Sequence, residues 1–368
     1  MMLNTNYSIT IIFGGNVSNE RIQWIDLSRC VAILCVIACH CIRTFYDYNV
    51  GFMQALSFPS QIFACSVLTI GRFGVPLFLM ITGFLLLDRN YDNQKTVRFW
   101  KFKVKHLWIC AIFWAIVGEL FLILILHKNI PLEDIFFGIL FLKPLSLSYF
   151  WYMPMIIGMY ILIPFVANAL KEYDLDVIIK PTVFFAILVY LLPFIISILK
   201  FNGIKGLSVE LSLGFSGGTY GLYLIMGYLI KKGYFKKIKT HLLSLIVIIS
   251  SIGFVLLEIY YFHAGFKLHI FYESPFIFVC AVCLFELFSR LKNIKFYNLI
   301  YKISIYSFGI FMIHDLYQML FKPVFLNLSI NNPLKFILLY VIVFALSMIT
   351  VFIISKIPKF GKYVLLMK

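Results

Sequence analysis

The chain has 368 residues, of which 62% are apolar and 13% charged, with a formal net charge of +16 and a mean hydropathy of +0.95. Water-soluble domains carry about 45–50% apolar and about 25% charged residues, so a soluble globular domain is excluded and an all-α, polytopic integral membrane protein is expected. A nucleic-acid binder is excluded as well, because the lysines and arginines fall in short loops between apolar stretches, as cytoplasmic loops of membrane proteins do.

Residues 1–20 lack a basic region ahead of an apolar core, so they do not read as a cleaved signal peptide but as a tail. A bilayer crossing takes about 20 apolar residues. About ten such stretches follow, near 27–46, 61–87, 107–127, 149–169, 177–199, 213–230, 241–262, 270–289, 303–327 and 333–355. PLEDIFFGIL, from Pro131, is too short to cross and reads as a re-entrant or interfacial helix. An even count puts both termini on one side. With the N-terminus inside, the loops bearing Arg89 to Lys105, Lys231 to Lys239 and Arg290 to Lys302 are all cytoplasmic. The outward loops then hold only isolated lysines, Lys128, Lys143, Lys200, Lys205 and Lys267. Residues 21–356 form one transmembrane domain, and 357–368 a short basic cytoplasmic tail.

The first crossing contains RCVAILCVIACHCIR, with Arg29 at its start and His40 near its far end. Eleven positions at 100° each make three turns plus about 20°, so the two share a face about 16 Å apart along the axis. Asp26 and Arg43 lie near the same stripe. A charge at mid-membrane costs about 2.5–3.5 kcal/mol on insertion scales, so such a stripe faces the bundle interior or a water-filled cavity. Arg72 interrupts the second crossing, where Gly74, Pro76 and Gly83 permit close approach and a broken helix. Glu119, Glu258, Glu273 and Glu286 lie in or near apolar runs and are candidate partners for intramembrane cations, although sequence does not pair them. His314 and Asp315 adjoin in a late crossing. Trp151 opens the fourth, where an interfacial aromatic is the plain alternative to a binding role. Most of the eight cysteines sit in apolar spans. Cys280 and Cys283 form a CxxC without the partners a four-ligand zinc site needs, so no metal site is expected.

Taken in order, these blocks resemble the membrane acyltransferase-3 family, bacterial members of which O-acylate surface glycans. The resemblance rests on Arg29-x10-His40, GVPLFLMITGF, FWKFKVKHLW, YFWYMPMIIGMYILIP, YGLYLIMGYLI and SFGIFMIH, and covers about residues 21–355. Two departures stand out: Lys103 and His106 occupy a turn where the family carries paired arginines, and Thr82 stands where a serine is usual. A lysine neutralises a phosphate as a point charge, without the bidentate grip of arginine.

The resemblance implies an acyltransferase of the bacterial inner membrane. It would move an acyl group, most commonly acetyl, from a cytoplasmic acyl-CoA to a hydroxyl of a cell-surface or lipid-linked polysaccharide, with no bound cofactor. His40 would be the base, its imidazole suited to that work at neutral pH, and Arg29 would meet the donor. Arg72, Lys103, His106, Trp151 and His314 are candidate substrate-binding residues. A transporter or flippase of lipid-linked glycans is the alternative; it predicts inverted repeats and paired broken helices, which the sequence does not show. An O-antigen-type polymerase would carry a long outward loop, and these are short.

Overall fold

The structure is a computed structural model describing residues 21–204, 218–268 and 272–367. The N-terminal tail, Lys205 and the first residues expected for two crossings (213–217 and 270–271) lie outside the described residues. Among the described residues there is no strand, and eight helices are long and apolar enough to cross a membrane. In chain order they are α1 (Gln23–Ile42), α2 (Phe58–Leu86), α3 (Asn93–Leu124), α4 (Ser148–Ala169), α5 (Leu175–Phe201), α7 (Thr240–His263), α9 (Tyr297–Leu326) and α10 (Asn332–Ser355). The two other expected crossings appear as α6 (Gly218–Lys231) and α8 (Pro275–Ser289), of 14 and 15 residues. At 1.5 Å per residue these described parts are about 21–23 Å long, less than the roughly 30 Å of a hydrocarbon core. The short segment after Pro131 is a helix of 8 residues, Leu132–Ile139.

The helix containing the Arg29–His40 stripe is the central one: α1 packs against α2, α8, α9 and α10. Outer helices turn large apolar side chains outward, as Ile248, Ile249, Ile252 and Leu256 do on α7. Lipid offers no hydrophobic drive between helices, so close backbone approach through small residues does much of the joining. The contact between α2 and α6 is built this way from both sides. A Cβ on Gly83 would lie 1.9 Å from the Leu224 carbonyl oxygen, and one on Gly227 would lie 2.1 Å from that of Met80. Both obstacles are backbone, which cannot swing aside. Gly83→Val is therefore expected to cost more than the roughly 1–3 kcal/mol of ordinary overpacking. Fluorescence-detected size exclusion in mild detergent would show the monodisperse peak largely lost; a normal profile would disprove the tight contact.

Alternation of the helices brings the basic loops to one end. There Asp88, just after α2, meets Lys231 at 3.3 Å and Lys232 at 2.5 Å. Arg290 donates to the carbonyls of Phe235 and Ile238, and Asn168 exchanges hydrogen bonds with the backbone of Tyr91. The opposite end is tied by Gln54 to the Phe262 carbonyl and by Gln318 to Thr44. Partial burial pushes the Asp88 carboxyl up, but the hydrogen bond from Lys232 and the charge of Lys231 outweigh it and hold it below its ordinary value of 3.8. A depressed carboxyl contributes stability above its unfolded pKa and loses it as pH falls through the folded one. Asp88→Asn should thus cost about 1 kcal/mol or less at pH 7, seen as a lower unfolding temperature. The difference should shrink only as pH falls below about 4; equal shrinkage between pH 7 and 5 would refute the assignment.

Past α10, Phe360–Val364 forms a short helix that returns to α3. His106, Cys110 and Trp114 lie along one face of α3 and bind the carbonyls of Tyr363, Tyr363 and Val364 at 2.8, 2.6 and 2.8 Å.

Candidate active site

Near the end of α1 remote from the basic loops, His40 enters the wall of a cavity of about 390 Å3, together with Arg43, Arg72, Trp151 and Glu258. His40 is there because the stripe on α1 faces the bundle and not lipid, as its register with Arg29 requires. Behind it stands α9. Asp315 places Oδ1 3.6 Å from His40 Nδ1, long for a hydrogen bond but near enough to stabilise an imidazolium. Catalytic hydrogen bonds are often this loose before substrate arrives. Asp315 is 2% exposed and its Oδ2 is buried without a hydrogen-bond partner, so a charge developing on His40 meets a carboxylate that water does not screen.

His314 packs edge to face on His40, ring centroids 5.0 Å apart at 71°. Its Nδ1 lies 2.7 Å from the Phe311 carbonyl. A carbonyl only accepts, so Nδ1 carries the proton and Nε2 keeps its lone pair; that Nε2 is fully buried and has no partner. Tyr149 flanks His314 at 5.4 Å, and its hydroxyl donates to the Met312 carbonyl at 2.7 Å. Gln318, one turn further on α9, donates to Thr44 Oγ1 at 2.6 Å and to the His40 carbonyl at 3.3 Å. His40 is thereby held from both ring and backbone.

Arg72 sits in the break of α2, between Phe58–Gly71 and Gly74–Leu86. Its Nη1 meets Glu258 Oε1 of α7 at 2.9 Å, with both side chains 7% exposed. This is one pairing that sequence left open; Glu286 with Arg290 (2.8 Å) is another. Glu119 instead accepts from the Ser146 amide at 2.7 Å, and Glu273 lines the cavity.

Arg29 lies at the other end of the stripe and does not line this cavity. Its Nη1 is 3.2 Å from Asp26 Oδ1. Asp26 is fully buried and also accepts from Arg21 (2.6 and 2.9 Å), Tyr297 (2.8 Å) and Ser304 (2.7 Å). A carboxylate so fully engaged cannot follow Arg29 elsewhere, so it fixes the guanidinium. Lys103 lies in a wide π turn of α3, Trp100–Val104. His106 is engaged with the C-terminal segment.

The structure thus gathers His40, Arg72 and Trp151 around one cavity, sets His314 directly behind His40, and leaves Arg29, Lys103 and His106 outside it. Sequence reasoning did not single out Asp315 as a site residue, nor Gln318, Tyr220, Tyr272 or Lys267. Adjacency to His314 was the only signal for Asp315.

An imidazole backed by a buried carboxylate, with guanidinium groups lining the same cavity, suits removal of a proton from a hydroxyl while negative charge grows on a neighbouring oxygen. That describes a membrane-embedded transferase. The chain belongs to the acyltransferase-3 family, whose model, described as an acyltransferase domain, matches residues 22–356, and it is accordingly a multi-pass membrane acyltransferase. No curated protein and no solved structure is detectably similar to it.

Proposed function

We propose that the protein transfers an acyl group, acetyl first among the candidates, from acyl-CoA to a hydroxyl of a cell-surface or lipid-linked polysaccharide in the bacterial cytoplasmic membrane. The observation that carries this reading is the His40–Asp315 couple, open to a cavity at the end of α1 away from the basic loops. An acceptor reaches that end from outside when the basic loops are cytoplasmic. The donor comes from the basic end, where Arg29 meets it.

His40 takes the proton of the acceptor hydroxyl as its oxygen attacks the thioester carbonyl. Asp315 stabilises the resulting imidazolium. Arg72 faces the developing oxyanion. Collapse of the tetrahedral intermediate breaks the carbon–sulfur bond, and His40 returns the proton to the leaving thiolate. Ester and free CoA are the products.

NMR of purified surface glycan tests the reading in cells carrying the intact gene, its deletion or His40→Ala, at matched membrane levels. O-acyl signals should vanish in both mutants while glycan amount and length persist. A collapse of export or chain length with unchanged acylation of the remainder would establish a transporter or polymerase instead. Asp26→Asn should raise the KM for acyl-CoA about 10- to 150-fold, since one charge-assisted contact is worth about 1.5–3 kcal/mol, and leave kcat within a few-fold. A fall in kcat alone would place Arg29 at the chemical step.

A further inference from the structure

Three aromatic rings share the cavity with His40: Trp151 from the start of α4, Tyr220 from α6, and Tyr272 from the segment before α8. Trp151 lies 5.4 Å from Tyr220 and 5.8 Å from Tyr272, tilted by 36° and 39°, and the two tyrosines are 6.2 Å apart. The centroids form a nearly equilateral triangle drawn from three parts of the chain. Interfacial belt aromatics sit around the lipid-facing perimeter; these converge on an interior space.

Each corner is held from behind. Trp151 closes a tight 3-10 turn, Ser148–Trp151, whose Phe150 amide donates to the Leu147 carbonyl. The Tyr223 hydroxyl donates to the Tyr272 carbonyl at 3.1 Å, and the Tyr190 hydroxyl to the Thr219 carbonyl beside Tyr220 at 2.8 Å. Trp151 nevertheless remains 38% exposed. A rigid aromatic cluster with an open ring is a platform awaiting a flat partner. Lys267 and Glu273 line the same cavity, and among the described residues neither is in an ion pair.

We propose that Trp151, Tyr220 and Tyr272 form the acceptor subsite, a shallow dish on which one pyranose ring stacks while Lys267 and Glu273 hydrogen-bond its hydroxyls. The proposal rests on the reading above that the acceptor is a glycan. A pyranose presents axial C–H bonds on a face and hydroxyls around its edge, so it needs an aromatic surface beneath and polar groups at the rim. Both are present beside the base. Stacking fixes the ring while rim contacts choose its rotation, and together they decide which hydroxyl meets His40. The platform is therefore the specificity-determining element of transfer.

Saturation-transfer difference NMR of the full chain in lipid nanodiscs tests this, with a panel of methyl pyranosides (gluco, galacto, manno, rhamno and 2-acetamido forms) and acetyl-CoA as probes. At least one glycoside should receive saturation mainly at ring C–H protons, with wild type and with His40→Ala. Trp151→Ala should cut that signal at least tenfold, and Tyr220→Ala several-fold. Tyr220→Phe and Trp151→Phe, which preserve packing, should retain most of it, and acetyl-CoA signals should not change in any variant.

If no glycoside gives a Trp151-dependent signal, or if the adenine signals of acetyl-CoA are lost in Trp151→Ala instead, the acceptor platform is overturned. Because binding is read without turnover, Trp151-dependent sugar binding in a protein that transfers no acyl group would sink the acyltransfer reading and leave the sugar platform standing. Acyl transfer unaffected by Trp151→Ala would do the reverse.

Discussion

His40→Ala is expected to lower acyl transfer by about 10²–10⁴-fold, the usual contribution of a positioned general base, while leaving acyl-CoA affinity and thermal stability close to wild type. Stability should hold because the His40 side chain reaches the open cavity and its backbone carbonyl, which Gln318 binds, is kept. Added imidazole should recover part of the rate, since the cavity admits a small molecule where the side chain was. Asp315→Asn keeps shape and packing but removes the charge opposite His40 Nδ1. It should slow transfer by an intermediate factor, and the double variant should be little worse than His40→Ala alone. That non-additivity separates one catalytic unit from two independent contributions. Transfer within threefold of wild type in His40→Ala would remove His40 from the chemistry and with it the mechanism above.

The register that places Arg29 and His40 on one face was legible in the sequence because helix periodicity and the cost of charge in lipid act within a single segment. The same holds for Arg72: a cation followed by Gly74, Pro76 and Gly83 permits a broken helix, and the break is there. What each of these residues faces was not legible. Asp315 lies 275 positions beyond His40 and Glu258 lies 186 beyond Arg72, and periodicity names a face without naming its neighbour. The aromatic triangle is hidden for the same reason, as Trp151, Tyr220 and Tyr272 are ordinary residues of an aromatic-rich chain until three segments bring them together. His106 shows the limit from the other side: its hydrogen bond to the Tyr363 carbonyl comes from a segment 257 positions away.

The Arg72–Glu258 pair is where stability and chemistry can be told apart. Both side chains are nearly buried and Glu258 Oε2 has no hydrogen-bond partner, so removing Arg72 leaves an uncompensated carboxylate, at a cost of about 3–5 kcal/mol. Arg72→Met alone should lower the unfolding temperature sharply and reduce the amount of folded protein. Replacing the two together, Arg72→Met with Glu258→Leu, restores an apolar match of similar volume, and such replacements are often neutral or stabilising by about 1–4 kcal/mol. The double variant is therefore expected to recover most of the lost thermal stability, read by intrinsic fluorescence in detergent. Transfer should not recover with it. Arg72 lines the same cavity as His40, and no other change supplies a cation at that place for the oxyanion of the proposed mechanism. A stable double variant with transfer down about 10²-fold or more, the scale of losing one oxyanion donor, assigns Arg72 to the reaction. Recovery of both quantities would make the pair a structural joint between α2 and α7, and the oxyanion would then have to be met by Arg43, which shares the cavity one turn beyond His40.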